Sequence, residues 1–312
     1  MPAHTSPQRA ADTSPQRAAD TPPQRAVNWF RAQAQMTERF GAAIRQSFDE
    51  VFDGQRTGRY SLKQLTKVEK TYIGTKVEIV IQTEFGLQRG QRMDYLVDGE
   101  ELDAKWSIKS GGWMIPTEAV GELCLCMTAD DVRSTFSVGI VRAEEANLRT
   151  STNKDKKRQF NPEGIAAMSW LVDSGELAEN LLLHLDDRTR SAILDDELSG
   201  QQRVNQLFRH VHRKIVSREV VLTVAQQDDG PKRVRDARKL LQPEGIIVLG
   251  HQGSHPGIAK SLGLRKPSKG SWIASRIVKA GPADKNTVLI VGEQWRLAAP
   301  DDPTAEGPTN YQ

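Results

Sequence analysis

Apolar and polar positions alternate along two short runs that meet at Asp98-Gly99. This pair is a strong signal for a two-residue hairpin turn, because both residues tolerate the positive φ that such a turn requires. Counting outward from the turn places Asp94 opposite Asp103, with Cβ atoms about 4.5–5.5 Å apart. Lys105 follows two residues later on the same face. The pattern therefore predicts a hairpin that gathers two carboxylates and one ammonium group.

Two stretches before the hairpin carry apolar residues at helical spacing. One helix is predicted over Trp29–Asp53 and a second over Ser61–Phe85, where Ser61 can cap the start. The second helix also carries three acids, any of which could supply a third carboxylate to the hairpin: Glu69, Glu78 and Glu84. Periodicity does not choose among them.

The region after the hairpin predicts a sheet, followed by a second domain. Strands over Leu123–Met127 and Thr135–Val141 can pair with the hairpin, which indicates an α/β or α+β fold. The passage between domains is predicted at Gly164–Gly175. Helices are then predicted over Glu176–Leu185, Asp187–Leu194, Gln201–Ile215, Arg218–Gln226 and Pro231–Leu241, and strands over Ile246–Gly250, Trp272–Val278, Thr287–Val291 and Trp295–Ala298. Short helices in series followed by strands suggest a winged helix-turn-helix.

The helix predicted over Pro231–Leu241 is strongly cationic. Val234, Ala237 and Leu241 give it one apolar face, as in a DNA-recognition helix packed on one side. The candidate DNA-binding residues on it are Lys232, Arg233, Arg235, Arg238 and Lys239. An ordinary surface helix has a similar composition, so the pattern alone leaves both interpretations open.

A second cationic segment, residues 149–158, reads R-T-S-T-N-K-D-K-K-R and is called the basic loop below. A charge run of this kind is usually a solvated loop. It is also suited to contacts with the phosphates of a nucleic acid. Both interpretations remain open at this point.

The first 28 residues form an octapeptide repeat, with copies at Thr5–Asp12, Thr13–Asp20 and Thr21–Asn28. Each copy contains proline, and its apolar content is mostly alanine, so the repeat is predicted to be disordered. The expected organisation is a tail over residues 1–28, a catalytic domain over 29–168 and a DNA-binding domain over 169–312.

Composition adds bounds to this picture. The 312 residues suffice for two domains, and the net charge of +3 permits a nucleic-acid partner without requiring one. Cys124 and Cys126 alternate on one predicted strand and are expected to be buried apolar residues. No run approaches the roughly 20 apolar residues of a membrane span, and no signal-peptide core is present, so a cytoplasmic location is expected.

Other catalytic classes find no support in the chain. It contains no H-E-x-x-H, G-x-S-x-G or Walker A motif. The segment Val51-Phe-Asp-Gly54 is similar to the K-x-D-G adenylation motif of DNA ligases, but Val51 stands where the nucleophilic lysine is needed.

The opposed carboxylates require a cation or a proton to relieve their repulsion. Mg²⁺ binds one or two carboxylates together with waters and phosphate oxygens. Asp94, eight residues, then Asp103-Ala104-Lys105 matches the spacing of the PD-(D/E)xK nucleases. The motif is short, and a solvent-facing charged hairpin gives the same pattern. A repair or recombination nuclease with relaxed specificity and a non-catalytic DNA-binding regulator are the other functional classes to consider.

Longer strings in both halves resemble the NaeI-like type IIE restriction endonucleases of the PD-(D/E)xK superfamily. They lie at Phe52–Gly58, Glu69–Thr71, Glu179–His184, Thr223–Asp229 and Pro243–Ile247. The resemblance covers roughly Phe48 to Pro303 and leaves the N-terminal repeats without a counterpart.

The resemblance implies a dimeric, Mg²⁺-dependent enzyme that makes blunt cuts in duplex DNA at a palindromic hexamer, GCCGGC. It also implies a PD-(D/E)xK-type mixed sheet flanked by helices, joined to a winged helix-turn-helix domain like that of catabolite activator protein. That domain would bind a second DNA copy and activate cleavage, and a cognate DNA methyltransferase is expected in the same system. The implied catalytic set is Glu78, Asp94, Asp103 and Lys105, with the metal on Asp94, Asp103 and the carbonyl of Ala104.

Overall fold

The computed structural model describes residues 21–311 as a mixed α/β protein with two five-stranded sheets. The helices are α1 (Pro22–Arg31), α2 (Met36–Phe52), α3 (Gly54–Thr57), α4 (Lys67–Phe85), α5 (Pro162–Ala166), α6 (Asp187–Ile193), α7 (Gly200–His210), α8 (Arg218–Ala225), α9 (Gly230–Leu240) and α10 (His255–Ser261). The strands are β1 (Tyr95–Val97), β2 (Glu100–Ser107), β3 (Leu123–Asp130), β4 (Thr135–Arg142), β5 (Ser169–Glu176), β6 (Ile215–Ser217), β7 (Ile246–Leu249), β8 (Ser271–Lys279), β9 (Val288–Ile290) and β10 (Glu293–Leu297). No helix within this range is both long enough and apolar enough to cross a bilayer.

The described chain divides into two compact units that are not contiguous in sequence. The first unit contains the residues up to Ser47 together with Thr71–Ala178, and the second contains Phe48–Lys70 together with the residues from Glu179 onward. The segment Gly164–Gly175, for which the sequence predicts a passage between domains, includes most of β5 in the first sheet.

The first sheet has the order β1-β2-β3-β4-β5, in which β2 and β3 are parallel and all other neighbours are antiparallel. The hairpin register is the predicted one, with Tyr95 opposite Leu102 and Val97 opposite Glu100. Asp98 and Gly99 form its turn, with φ of 48° and 84°. Both values lie in the left-handed region, which confirms the turn prediction.

The single helix predicted over Trp29–Asp53 is in fact two helices. Gln35 has φ of 53°, which breaks the helix and lets the chain turn between α1 and α2. Phe30 on α1 and Phe40 on α2 then meet Phe85 on α4, with ring centroids 4.5–5.5 Å apart. The periodicity was continuous because both helices bury apolar residues in one core.

The third repeat copy is also helical, contrary to its predicted disorder. Proline lies in the first turn of α1, where it starts a helix instead of interrupting one. Ala26 and Val27 are almost completely buried, so this copy contributes to the core. The first two copies lie outside the described residues.

Ser61 caps a short 3₁₀ turn, Leu62–Gln64, and not the long helix predicted to begin there. Its hydroxyl accepts from Lys63 N while Gln64 Oε1 accepts from Ser61 N, the reciprocal arrangement of a capping box. The long helix α4 begins only at Lys67.

Cys124 and Cys126 are buried free thiols, as predicted. In the parallel pairing of β2 with β3 they lie beside Asp103 and Lys105, respectively. They belong to an apolar cluster with Trp113, Ile115, Ala119, Val141, Ala143, Leu148, Phe160 and Met168. This cluster includes residues of β3, the strand that pairs with β2 beside Asp103 and Lys105.

In the second unit, α7, α8 and α9 pack on β7 and β8 around one apolar cluster that includes Phe208, Val224 and Val234. The sheet is antiparallel, with the order β6-β8-β10-β9 and β7 paired to β8. The four helices predicted between Asp187 and Leu241 are present, although α7 ends at His210 and Ile215 begins β6.

One predicted element of this part of the chain is wrong and another is one residue shorter at each end. The helix predicted over Glu176–Leu185 is the end of β5 followed by a 3₁₀ turn at Leu181–His184, whose start Asn180 caps. The strand predicted over Thr287–Val291 is confirmed as β9, which stops at Ile290 because Val291 and Gly292 form the turn of the β9–β10 hairpin.

The helix α3 belongs to the second unit, where it packs against α8. Gly54 passes so close to Thr223 Oγ1 that a Cβ at this position would collide with it, and the Gln55 side-chain amide donates to the Asp228 carboxylate. Two strings of the resemblance, Phe52–Gly58 and Thr223–Asp229, therefore contact each other.

Candidate active site

The β1–β2 hairpin brings the carboxyl groups of Asp94 and Asp103 within hydrogen-bonding reach of each other. Asp94 Oδ2 accepts a hydrogen bond of 2.7 Å from the backbone N–H of Ala104. Lys105 Nζ lies 2.5 Å from Asp103 Oδ2. The three side chains that the hairpin arithmetic grouped together are thus neighbours in the folded chain.

Asp103 is held in an environment that opposes its ionisation. Burial and, to a lesser extent, the Asp94 carboxyl raise the pKa of Asp103 to about 6, although the Lys105 ammonium acts in the opposite direction. Apart from the ion pair with Lys105, the buried Oδ2 atom receives no hydrogen bond from the described residues. A buried carboxylate oxygen whose charge is met by a single ammonium group is suited to an additional cation.

Of the three acids that periodicity left open, Glu78 is the one beside these carboxylates. Burial, followed by the charge of Asp94, raises the pKa of Glu78, while Lys105 lowers it. The Tyr95 hydroxyl fixes this part of α4 by donating 2.8 Å to the Glu78 backbone carbonyl.

The other two acids have different partners. Glu84 forms an ion pair of 2.6 Å with Arg39. Glu69 pairs with Arg59 and accepts from both the backbone N–H and the hydroxyl of Thr66, which caps the start of α4. Neither is needed to explain the charge around the hairpin.

Glu101 is a positioning residue that sequence reasoning missed. Its carboxylate accepts three backbone hydrogen bonds, of 2.8, 3.0 and 2.9 Å, from Gln91, Arg92 and Met93. These bonds lower the pKa of Glu101 and fix the backbone immediately before Asp94. The only sequence signal was the hairpin register, which pairs Glu101 with Leu96, two residues after Asp94.

The oxygen donors of Asp94, Asp103 and the Ala104 carbonyl match the ligand chemistry of a hard divalent cation. Within residues 21–311, no three His, Cys, Asp or Glu side chains converge into a ready metal-binding group. A Mg²⁺ site does not need three protein carboxylates, since the ion usually keeps waters and takes substrate oxygens. The residues therefore fit a site that substrate completes.

The five cationic candidates on α9 differ in their surroundings. Arg238 Nε donates 2.8 Å to the Val248 carbonyl, and burial lowers the pKa of its guanidinium. Lys232 pairs with Asp236 and Arg233 with Asp229, each at 3.0 Å. The remaining two, Arg235 and Lys239, are exposed.

Comparison with known proteins identifies the family. A family model described as "Restriction endonuclease NaeI" matches residues 24–306, so the match begins inside the third repeat copy. The chain is 44% identical over 281 residues to "Type II restriction enzyme NaeI" of Lentzea aerocolonigenes, covering 87% of this chain and 88% of the relative. The chain therefore belongs to the NaeI family of type II restriction endonucleases, and it is a site-specific deoxyribonuclease that acts on double-stranded DNA.

Proposed function

We propose that this enzyme hydrolyses DNA phosphodiester bonds at the β1–β2 hairpin, using Glu78, Asp94, Asp103 and Lys105. The observation that carries the proposal is the contact of two acidic side chains with each other, next to Lys105 Nζ at 2.5 Å. Like charges at this separation destabilise a fold, so their presence favours a functional explanation.

The proposed cofactor is Mg²⁺, held by Asp94, Asp103 and the Ala104 carbonyl, with Glu78 contributing through a water. When bound, the ion would supply charge neutralisation and lower the pKa of a water ligand. The Ala104 N–H holds the Asp94 carboxylate in position through Oδ2. Hydrolysis forms one P–O bond to water and breaks another, and Lys105 is placed to orient the attacking water and help remove its proton.

The proposed substrate site is a palindromic G/C hexamer, GCCGGC, that is cut to blunt ends by a homodimer. A palindrome presents two equivalent strands, and a two-fold dimer supplies one catalytic hairpin to each. Support comes from the family membership, which favours restriction over the repair nuclease considered above.

For the second unit we propose a winged helix-turn-helix that binds a second DNA copy and activates cleavage. In support, α8 ends at Ala225 and is followed by Gln226 with left-handed φ, α9 follows after a short turn, and an antiparallel sheet comes next. The proposed DNA-binding residues remain the five cations of α9, with Arg235 and Lys239 contacting DNA and Arg238 also fixing α9 to β7 through Val248.

Plasmid digestion tests these proposals. With Mg²⁺, the enzyme is expected to give discrete fragments whose sequenced ends are blunt and lie within GCCGGC. EDTA should stop cleavage and excess Mg²⁺ restore it. Smeared products would support the repair nuclease instead, and discrete ends at another sequence would refute the hexamer alone.

Second-site activation has its own test. A plasmid with one site should be cut faster when a short duplex carrying that site is added. The same duplex with a scrambled site is the control, and equal rates with both would refute activation. A DNA methyltransferase gene beside this one would support the expected restriction-modification partner.

A further inference from the structure

The basic loop, residues 149–158, has no role in the site described above, yet its cations are largely free of acidic partners. Lys154 and Lys156 are exposed and Lys157 is partly exposed. Among the described residues, none of the three forms an ion pair, in contrast to Lys232 and Arg233 of α9. Residues 154–157 carry three ammonium groups and the single carboxylate of Asp155, which leaves a net positive charge in solvent.

This loop has a defined internal frame organised by one side chain. Asn153 Oδ1 accepts from the backbone N–H groups of Asp155 and Lys157, at 3.0 and 2.8 Å. Asn153 N also donates to the Lys157 carbonyl, and Lys156 N donates to the Asn153 carbonyl, both at 3.0 Å. Lys156 completes the turn in the left-handed region, with φ of 59°. The lysines are therefore presented from a closed turn.

The base of the loop is anchored in the first unit. Ile115 and Arg158 exchange two backbone hydrogen bonds of 2.8 and 2.9 Å. The Arg158 guanidinium donates twice to the Glu145 carboxylate, at 2.7 and 2.9 Å. One backbone pair and one bidentate ion pair thus fix where the turn begins and ends.

The base of the loop also contacts residues packed with β3, the strand that pairs with β2. Ile115 belongs to the apolar cluster that contains Cys126, and Cys126 is the β3 partner of Lys105. Trp113 Nε1 donates 2.8 Å to the Met127 carbonyl on the same strand. The loop is therefore anchored to the apolar cluster that includes residues of β3, the strand paired with β2, on which Asp103 and Lys105 lie.

We propose that the basic loop is a preformed phosphate-binding element of the first unit, which grips the backbone of duplex DNA through Lys154, Lys156 and Lys157. A fixed turn loses little conformational entropy on binding, which distinguishes it from a merely solvated charge run. Contacts of this kind position the duplex and carry no sequence information. The proposal rests on the DNA-cleaving activity, and it is independent of the recognition sequence.

The test measures binding of a random-sequence duplex to full-length enzyme in EDTA, by fluorescence anisotropy, at about 50–200 mM salt, where phosphate contacts are strongly salt-dependent. Replacing the three lysines with glutamine should reduce the slope of log K against log salt by about 0.9 per contact, or about 2–3 in total. Replacing them with arginine preserves the charge and should retain the slope. Neither triple variant should alter thermal unfolding, because the replaced ammonium groups have no ion-pair partners.

Two further variants distinguish the effect of the loop lysines from that of net charge, and the effect of the lysine charges from that of the hydrogen bonds that fix the loop. Arg133→Gln removes one cation from the β3–β4 turn, where the side chain is 82% exposed and lies 3.7 Å from the Asp130 carboxylate, and should change the slope less than Lys156→Gln. Asn153→Ala keeps every charge but removes two hydrogen bonds, so it should weaken binding while leaving the slope unchanged. A wild-type slope in the triple glutamine variant, or an equal effect of Arg133→Gln, would overturn the proposal.

Cleavage kinetics provide a second readout. In the triple glutamine variant, the DNA concentration for half-maximal cleavage should rise while the saturating rate stays unchanged. A fall in the saturating rate alone would contradict a role in gripping DNA. A wild-type enzyme that binds no duplex would instead overturn the proposed function, so the two failures are distinguishable.

Discussion

Two hairpins of the chain have the same two-residue turn, but they differ in which part of the sequence is unfavourable. In one it is the charged side chains of the strands, and in the other it is a residue of the turn. The β1–β2 hairpin turns at Asp98-Gly99 with φ of 48° and 84°, and the β9–β10 hairpin turns at Val291-Gly292 with φ of 49° and 80°. The first has turn residues suited to this backbone but places two acids together. The second has a β-branched residue in the left-handed region, where such residues are true outliers.

The charges of the second hairpin, by contrast, are paired. Glu293 at the start of β10 forms an ion pair of 2.7 Å with Lys279 of β8. The first hairpin thus has favourable turn chemistry and unfavourable electrostatics, and the second has the reverse. A two-residue hairpin can therefore keep its backbone conformation when either its turn residue or its charged strand residues are unfavourable.

The largest expected effect comes from removing the acid at the centre of the first hairpin. Asp103→Ala should reduce Mg²⁺-dependent plasmid cleavage by a factor on the order of 10³ or more, because the metal and its ligands supply several kcal/mol of transition-state stabilisation. Binding of duplex DNA should persist. Glu293→Ala in the second hairpin is the matched control and should leave cleavage unchanged; near wild-type cutting by Asp103→Ala would eliminate the proposed site.

A smaller loss is expected when the first hairpin keeps its acids but loses the support of Glu101. Glu101→Gln weakens the three backbone hydrogen bonds before Asp94, and a shift of about 1 Å in a reacting group can lower a rate by about a hundredfold. The expected result is a lower saturating rate and a higher Mg²⁺ requirement, with the DNA concentration for half-maximal cleavage unchanged.

Glu100→Gln is the control for this prediction. Glu100 is the neighbouring strand residue and pairs with Arg25 instead of the segment before Asp94. If both substitutions lower the saturating rate equally, Glu101 has no special positioning role.

The unfavourable electrostatics of the first hairpin should also appear in stability. Folding raises the pKa of Asp103 from 3.8 to about 6, so ionised Asp103 destabilises the folded state above about pH 6, and this penalty disappears as the pH falls below about 4. In EDTA, Asp103→Asn should therefore have a higher free energy of unfolding than wild type at neutral pH. The difference should shrink as the pH falls from about 6 to about 4.

Urea denaturation across this pH range measures the effect. Glu293→Gln, which removes a paired carboxylate from the second hairpin, should give no such gain. A gain for Asp103→Asn that stays constant with pH would show that ionisation is not its cause.

The smallest effect is expected from exchanging the turn residues. Asp98→Val should destabilise the first hairpin by about 1–2 kcal/mol, and Val291→Asn should stabilise the second by about 1 kcal/mol, because a left-handed backbone disfavours β-branched side chains. Amide hydrogen exchange of the strand residues beside each turn reports these changes locally. Unchanged or faster exchange in the Val291→Asn variant would refute the assignment of strain to Val291.

The two hairpins also show what the sequence could predict. Asp-Gly predicts a two-residue turn, and the register of β1 and β2 then follows from counting residues outward from it. Val-Gly does not, so the predicted strand ran through Val291. The same limit applies at Gln35, whose left-handed φ separates α1 from α2 although nothing in its side chain requires it.

For the candidate site, the sequence brought Asp94, Asp103 and Lys105 together because all three lie on one hairpin. Glu78 comes from a helix, and local periodicity could not distinguish it from Glu69 or Glu84; only tertiary packing places it beside the carboxylates. Glu101 was missed for a related reason, since its partners are backbone N–H groups, which no side-chain pattern records.

The position of α3 has a consequence for how such an enzyme can arise. The segment Phe48–Lys70 lies within the stretch of gene that encodes the first unit, yet it packs in the second, where Gly54 fits against Thr223. A gene fragment that begins at residue 179 therefore lacks part of the unit it seems to encode. If recombination transferred only the part of the gene from residue 179 onward, α3 would be missing from its place beside α8. An intact second unit therefore requires both coding segments.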